Sequence, residues 1–207
     1  LNVELMKKYE LEHALNFKLD KPYAIVTFHP TTLENNRSEE QFESLLEACK
    51  SFKNMSLIFT KANADTDGRI INKMIDDYVN ENDHAVAFTS LGLTRYLSAL
   101  RFCNLVIGNS SSGLIEAPSF KIPTVNIGDR QKGRLQATSI IYCKPEAKEI
   151  EESIRLALSE NFRRIAAETV NPYGDGNTSD QVVLNIGEFL LNEKITLQKK
   201  FYDCEMK

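Results

Sequence analysis

Apolar residues recur along this chain at two alternating periods. Over residues 2–17, Val3, Met6, Leu11 and Leu15 are separated by charged positions, a helix-like spacing that Lys21-Pro22 ends. Residues 23–28 form an unbroken β-rich apolar run and predict a buried strand. A helix is expected to open at Ser38, with Gln41 as its capping-box partner and Phe42, Leu45 and Leu46 as its stripe. Further strands are predicted at 56–60, 85–89, 105–107, 124–127 and 139–143. Further helices are predicted at 67–80, 93–102, 112–120, 146–158 and 179–191.

Strands alternating with helices specify a parallel sheet covered on both faces. Six strands in this rhythm predict an α/β, doubly wound, Rossmann-like fold. One domain is expected over residues 1–191. A polar tail over 192–207 is expected to fray or to pack against something outside that domain. With the usual strand order 3-2-1-4-5-6, strands one and four are neighbours where the order reverses, and ligands bind beyond the carboxyl ends there. The loops that begin at His29 and Asn109 are therefore expected to face one crevice.

Composition narrows the function classes. Of 207 residues, 42% are hydrophobic, enough for a globular core. The net charge of −4 argues against nucleic acid as the main partner, because phosphate backbones need a basic footprint. No apolar run is long enough to span a bilayer, and the first twenty residues carry no signal-peptide pattern. Cys49, Cys103, Cys143 and Cys204 lie far apart without zinc-site pairing, so they read as free thiols in a reducing cytosol, and no metal is expected. A chain opening on Leu1 is expected to be a fragment or a processed piece.

The strongest chemical signal is Gly108-Asn109-Ser110-Ser111-Ser112-Gly113, which leaves a strand and opens a helix. A helix start offers unpaired N–H groups and a positive dipole end, small residues admit phosphate oxygens, and serine hydroxyls add donors. An ordinary serine cap is the competing reading. The run is neither a Walker loop nor the dinucleotide fingerprint. Glu116, one turn on, could accept hydrogen bonds from ribose hydroxyls, or could be a first-turn glutamate favoured by the dipole. His29, stiffened by Pro30 at the end of strand one, could bind phosphate or act as acid or base. Arg130, Lys132 and Arg134 follow strand five and could neutralise a diphosphate. The run from Asn171 to Asn177 (Asn-Pro-Tyr-Gly-Asp-Gly-Asn) either allows close backbone approach or shapes an exposed turn.

Together these segments resemble the C-terminal domain of the UDP-N-acetylglucosamine 2-epimerase family. The resemblance rests on Phe28-His29-Pro30 with Thr32-Leu33-Glu34, on Asn109 to Gly113 with Glu116-Ala117-Pro118, on Asn126 to Arg134, and on Asn171 to Asn177. The loop after His29 lacks the His-Arg-x-Glu pattern of the non-hydrolysing branch and is closer to the hydrolysing branch that supplies N-acetylmannosamine for sialic acid synthesis. The resemblance implies a two-domain glycosyltransferase-B-like architecture whose C-terminal half binds UDP and UDP-N-acetylglucosamine. It implies Ser110, Ser111 and Gly113 at the diphosphate, Glu116 at the ribose, and Arg130 and His29 at the phosphates, with His29 a catalytic candidate. Asn63 and the backbone near Leu91 match further nucleotide contacts.

The reaction so implied begins with loss of the C2 proton and elimination of UDP, after which water adds. It needs no cofactor, neither metal nor nicotinamide. The N-terminal domain, which carries most of the acid–base carboxylates, is expected to be missing here, leaving a chain that binds UDP and turns nothing over. A homodimer is implied for the full-length protein, and a cytoplasmic location. Two other readings stay open at this point: the donor-binding domain of a glycosyltransferase of the same architecture, and a non-catalytic sugar-nucleotide sensor.

Overall fold

A computed structural model describes residues 3–30, 37–63 and 66–191. Residues 3–173 form one compact unit, and a second unit begins at Gly174. The expected tail over 192–207 lies outside the described residues, as do Thr32, Leu33 and Glu34.

The first unit is built on six parallel strands, β1 (Tyr23–Thr27), β2 (Ser56–Thr60), β3 (Ala85–Phe88), β4 (Leu105–Gly108), β5 (Thr124–Ile127) and β6 (Ile140–Cys143). Their order is β3-β2-β1-β4-β5-β6, the usual order of the doubly wound fold. Every residue of β1 is buried, which is why its sequence is continuously apolar rather than alternating. Successive side chains still go to opposite faces.

Ala24 and Val26 join one core layer with Phe42 and Leu45 of α2 (Ser38–Cys49), Ile71 and Ile75 of α3 (Thr66–Glu81), and Ile150 and Ile154 of α6 (Ala147–Leu158). Tyr23 and Ile25 join the other layer with Leu11 and Leu15 of α1 (Lys8–Leu15) and Leu97 and Leu100 of α4 (Gly92–Phe102). Each such fully buried Leu, Ile or Phe contributes about 1.5–3 kcal/mol.

Several elements depart from the local pattern. The first helix begins at Lys8 rather than near Asn2, because the Met6 N–H donates to Ser98 Oγ on α4 (2.9 Å) and Glu10 caps the Lys7 N–H (2.8 Å). The capping box at Ser38 is not formed: Ser38 is the first helical residue, and Arg37 takes the N-cap position, its guanidinium pairing with Glu40 (3.2 Å). The expected helix over 112–120 divides into a single turn, α5 (Ser112–Ile115), and a 3-10 turn over Ala117–Phe120. Pro118 has no N–H to continue the ladder to Leu114. A helix with no predicted counterpart, α7 (Glu160–Ala167), is capped by Ser159 Oγ accepting from the Phe162 N–H (3.2 Å).

The second unit contains α8 (Thr178–Leu191), which carries Val182, Leu184, Ile186 and Phe189. Among the described residues no helix is long and apolar enough to cross a membrane.

Candidate functional site

The site is organised where β1 and β4 end side by side. Thr27 pairs with Gly108, whose φ of 131° is open only to glycine. A Cβ on Gly108 would lie 1.9 Å from the Thr27 carbonyl oxygen, so no other residue fits. This close approach seats Asn109 directly beyond β1. Its side chain is buried and grips the backbone of His29 twice. Oδ1 accepts the His29 N–H (2.7 Å), and Nδ2 donates to the His29 carbonyl (2.8 Å). The loops after β1 and β4 therefore meet, as the strand order leads one to expect.

The serine turn follows. Ser110, Ser111 and Ser112 are half-buried and Gly113 is buried. The Gly113 N–H bonds the Ser110 carbonyl (3.2 Å) and the Leu114 N–H bonds the Ser111 carbonyl (3.0 Å). Among the described residues no protein acceptor takes the N–H of Ser110 or Ser111. Because α5 is one turn long, the helix dipole expected from the sequence is small here. What the turn can offer an anion is the two local N–H groups and the hydroxyls.

Gly113 lies against Thr124 of β5, whose Oγ1 donates to the Gly113 carbonyl (3.0 Å). Behind the turn, the Tyr96 hydroxyl and Ser112 Oγ share a short hydrogen bond. Burial above all, and the nearby Glu116 carboxylate, hold the Tyr96 phenol above its ordinary pKa, so it stays neutral. Among the described residues Glu116 Oε2 is buried without a hydrogen-bond partner, a carboxylate oxygen able to accept from a hydroxyl.

The loop after β5 closes the third side. Arg130 Nη1 (3.0 Å) and Gln131 Nε2 (2.7 Å) both donate to the Asn109 carbonyl. Partial desolvation first, and then the neighbouring Arg134 guanidinium, lower the Arg130 pKa from its usual value. Two guanidinium groups held near one another are stabilised by an anion between them. Lys132 instead pairs with Asp129 (3.3 Å) on the exposed side.

Asn171 Nδ2 donates to the Ile115 carbonyl (2.8 Å) and to Ser119 Oγ (2.6 Å), and the Tyr173 hydroxyl donates to the Leu135 carbonyl (3.1 Å). The first part of the Asn171–Asn177 run is thus a brace between the serine-turn segment and the arginine loop.

His29, Ser110, Ser111, Gly113, Glu116 and Arg130 are therefore carried by segments bonded to one another. Asn63 is exposed in the loop after β2. Leu91 is buried in the core, and its carbonyl already accepts Arg95 Nε (2.8 Å). Neither is bonded to the serine turn. A cavity of about 760 Å³ opens at the opposite, amino-terminal ends of the strands among Lys18, Lys21, Lys50, Lys53 and His84, and none of the nominated residues lines it. Among the described residues no three His, Cys, Asp or Glu side chains cluster as metal ligands.

A sequence model of the family described as UDP-N-acetylglucosamine 2-epimerase matches residues 2–187. The chain belongs to this family.

Two curated relatives are similar to it. It is 42% identical over 164 residues to the GDP/UDP-N,N'-diacetylbacillosamine 2-epimerase (hydrolyzing) of Campylobacter jejuni, covering 79% of this chain and 42% of the relative. It is 37% identical over 204 residues to the polysialic acid biosynthesis protein P7 of Escherichia coli, covering 98% of this chain and 51% of the relative. The chain spans about half the length of the curated relatives it matches. Its fold matches the crystal structure of a UDP-GlcNAc 2-epimerase from Neisseria meningitidis bound to UDP-GlcNAc, with a TM-score of 0.73 at 20% identity, over 87% of this chain and 49% of that one.

Within this epimerase frame three residues at the site had no assigned role in the sequence: Asn109, Gln131 and Tyr96. Tyr96 sits in the stripe of α4, where a tyrosine reads as core. Gln131 lies in a charged loop yet is buried. Only the adjacency of Asn109 to the serine run could have marked it.

Proposed function

We propose that this chain is the UDP-binding half of a hydrolysing UDP-N-acetylglucosamine 2-epimerase. The observation that carries the reading is the serine turn itself. Among the described residues two N–H groups without a protein acceptor and three serine hydroxyls stand beside Arg130, whose guanidinium feels the like charge of Arg134. In this reading Ser110, Ser111 and the close backbone of Gly113 hold the diphosphate together with Arg130 and His29. Glu116 accepts from the ribose. Asn63 and the backbone near Leu91 touch the nucleotide farther along the sheet edge.

The C2 proton is removed, the C1–O bond breaks and UDP departs with the electron pair. Water then adds across the C1–C2 double bond, a proton returning to the opposite face of C2 and hydroxyl going to C1. The products are N-acetylmannosamine and UDP. The residues of this chain stabilise charge as it develops on the departing diphosphate. Most of the proton transfers belong to carboxylates in the part of the family fold that this chain does not match. A site assembled from two halves loses positioning and water exclusion when one is absent. The 207-residue chain is therefore expected to bind UDP weakly and to release no N-acetylmannosamine. The free thiols of Cys49, Cys103 and Cys143 suit a reducing compartment, and a cytoplasmic homodimer of the full-length protein completes the proposal.

Calorimetric titration of UDP into the chain, Ser111→Ala and Glu116→Ala tests the reading. Each variant is expected to weaken binding by about threefold to tenfold, the loss of roughly one hydrogen bond. Unchanged affinity in both refutes the placement of UDP, and N-acetylmannosamine release by the chain alone refutes the stated division of labour.

A second reading concerns the sugar. Identity to the relative named for N,N'-diacetylbacillosamine is 42%, against 37% for the polysialic acid protein, which favours a 2,4-diacetamido sugar in the same reaction. Full-length protein offered both UDP-sugars separates the two by which free sugar accumulates.

A further inference from the structure

We infer that Asn109 is the positioning residue of this site, the junction through which three loops hold the serine turn and Arg130 in one register. The inference rests on the UDP reading above for the identity of the anion. Its geometry comes from the fold.

Asn109 is 2% exposed and follows a glycine that no side chain can replace. Its amide makes the paired bonds to the His29 backbone at 2.7 and 2.8 Å. Of the short side chains, asparagine alone carries a carbonyl acceptor and an N–H donor on one rigid amide; aspartate lacks the donor and serine lacks the span. Its main-chain N–H bonds the Thr27 carbonyl (3.1 Å), which holds the residue against β1. Its own carbonyl receives Arg130 Nη1 at 3.0 Å and Gln131 Nε2 at 2.7 Å. Gln131 is 1% exposed, so this second donor is a buried strut beside the arginine.

Among the described residues, Asn109 thus ties together the loops after β1, β4 and β5 while its own side chain is buried. The groups proposed to grip the diphosphate hang from its neighbours. Glu116, Asn63 and Leu91, proposed to touch the nucleoside, have no bond to it. Loss of the junction should therefore loosen the hold on phosphate and leave the nucleoside contacts in place. A residue serving only the fold would lower stability without that selectivity.

The test compares uridine, UDP and inorganic pyrophosphate, titrated by NMR into the 207-residue chain and two variants. Asn109→Ala removes the amide. Gln131→Met removes the strut while filling its volume. Because Gln131 Oε1 is buried without a partner, that second change is expected to leave the fold stable and keeps the question answerable if Asn109→Ala does not fold.

In Asn109→Ala the affinity for UDP and pyrophosphate is expected to fall about tenfold, the scale of one misdirected charge-assisted bond, with uridine changed less than about twofold. Gln131→Met is expected to lower the UDP-to-uridine affinity ratio about threefold. A preserved ratio in Gln131→Met and in any folded Asn109→Ala, whatever happens to the thermal midpoint, overturns the positioning role alone. Failure of the unmodified chain to bind either UDP or pyrophosphate overturns the UDP reading and this inference together.

Discussion

Gly113→Ala probes how the serine turn is seated. The new Cβ would stand 2.7 Å from Thr124 Cγ2, with Thr124 Oγ1 and Val106 Cγ1 each at 3.7 Å. Carbon atoms rest at about 3.5–4.0 Å, so roughly 1 Å must be found by moving the turn or the threonine. Thr124 resists, because it is β-branched, 1% exposed and tied through Oγ1 to the Gly113 carbonyl at 3.0 Å. Overpacking of this kind costs about 1–3 kcal/mol. For a domain of this size that lowers the thermal midpoint by roughly 2–4 °C per kcal/mol.

The offending atom can be removed independently. Thr124→Ser deletes Cγ2 and keeps the hydroxyl, at a cost of about 1 kcal/mol for the lost buried methyl. In the double variant the new Cβ occupies the vacated space, so the two changes should together cost about 1–2 kcal/mol less than their sum. Urea unfolding of the four proteins measures this coupling, and UDP titration of the same proteins follows the turn. Additivity within about 0.5 kcal/mol, or an unaffected Gly113→Ala, would falsify the claim that Thr124 sets the position of the turn.

Three further outcomes are expected. Tyr23→Phe removes a buried hydroxyl that donates to the Ala99 carbonyl at 2.6 Å; since Cys103 N–H also serves that carbonyl, the loss in urea unfolding should be about 1 kcal/mol, and a stabilised variant would contradict the bond. Ser139→Ala deletes a fully buried hydroxyl that has no partner among the described residues, so stability should stay level or rise by up to about 1 kcal/mol; a clear loss in thermal unfolding would point to a partner at Ser139 Oγ. Burial first, and then Lys21, lower the His84 pKa in the folded chain below its ordinary 6.5. The unfolded chain therefore takes up the proton first: the stability this group contributes is present above pH 6.5 and is lost as pH falls through the folded value. Thermal midpoints measured downward from pH 7 should show that loss in the unmodified chain and less of it in His84→Asn; identical profiles would remove His84 as the cause.

Most of the first unit was legible in the order of residues. The continuous apolar run at β1, the stripes of α2, α3 and α6, and the strand–helix rhythm are local signals, and they led to the observed sheet order. The small, hydroxyl-bearing residues of the Ser110–Gly113 turn at the end of β4 were likewise legible, since they are local features of the sequence. Where local signals competed, tertiary bonds decided. Met6 had a helical spacing but gave its N–H to Ser98 Oγ, and Ser38 could have capped but entered the helix instead. The short helix α7 leaves no clear signal because three of its eight residues are charged and only Ala166 is buried, so no apolar stripe marks it.

The sequence by itself determined the periodicities, the breakers and the residue types able to bind an anion, because each depends on neighbours within a turn or a strand. Pro118 belongs here too, since a proline's missing N–H interrupts an α-helical ladder at its interior, although the periodicity ran through it. Only the tertiary structure decided which of those residues share a site. Asn109 meets His29 across 80 positions and receives Arg130 across 21, and neither contact leaves a trace in periodicity. Such bonds form only after the sheet has set β1 beside β4 and β5. A hydrogen bond needs partners at about 3 Å, and strand order alone brings distant stretches of chain that close.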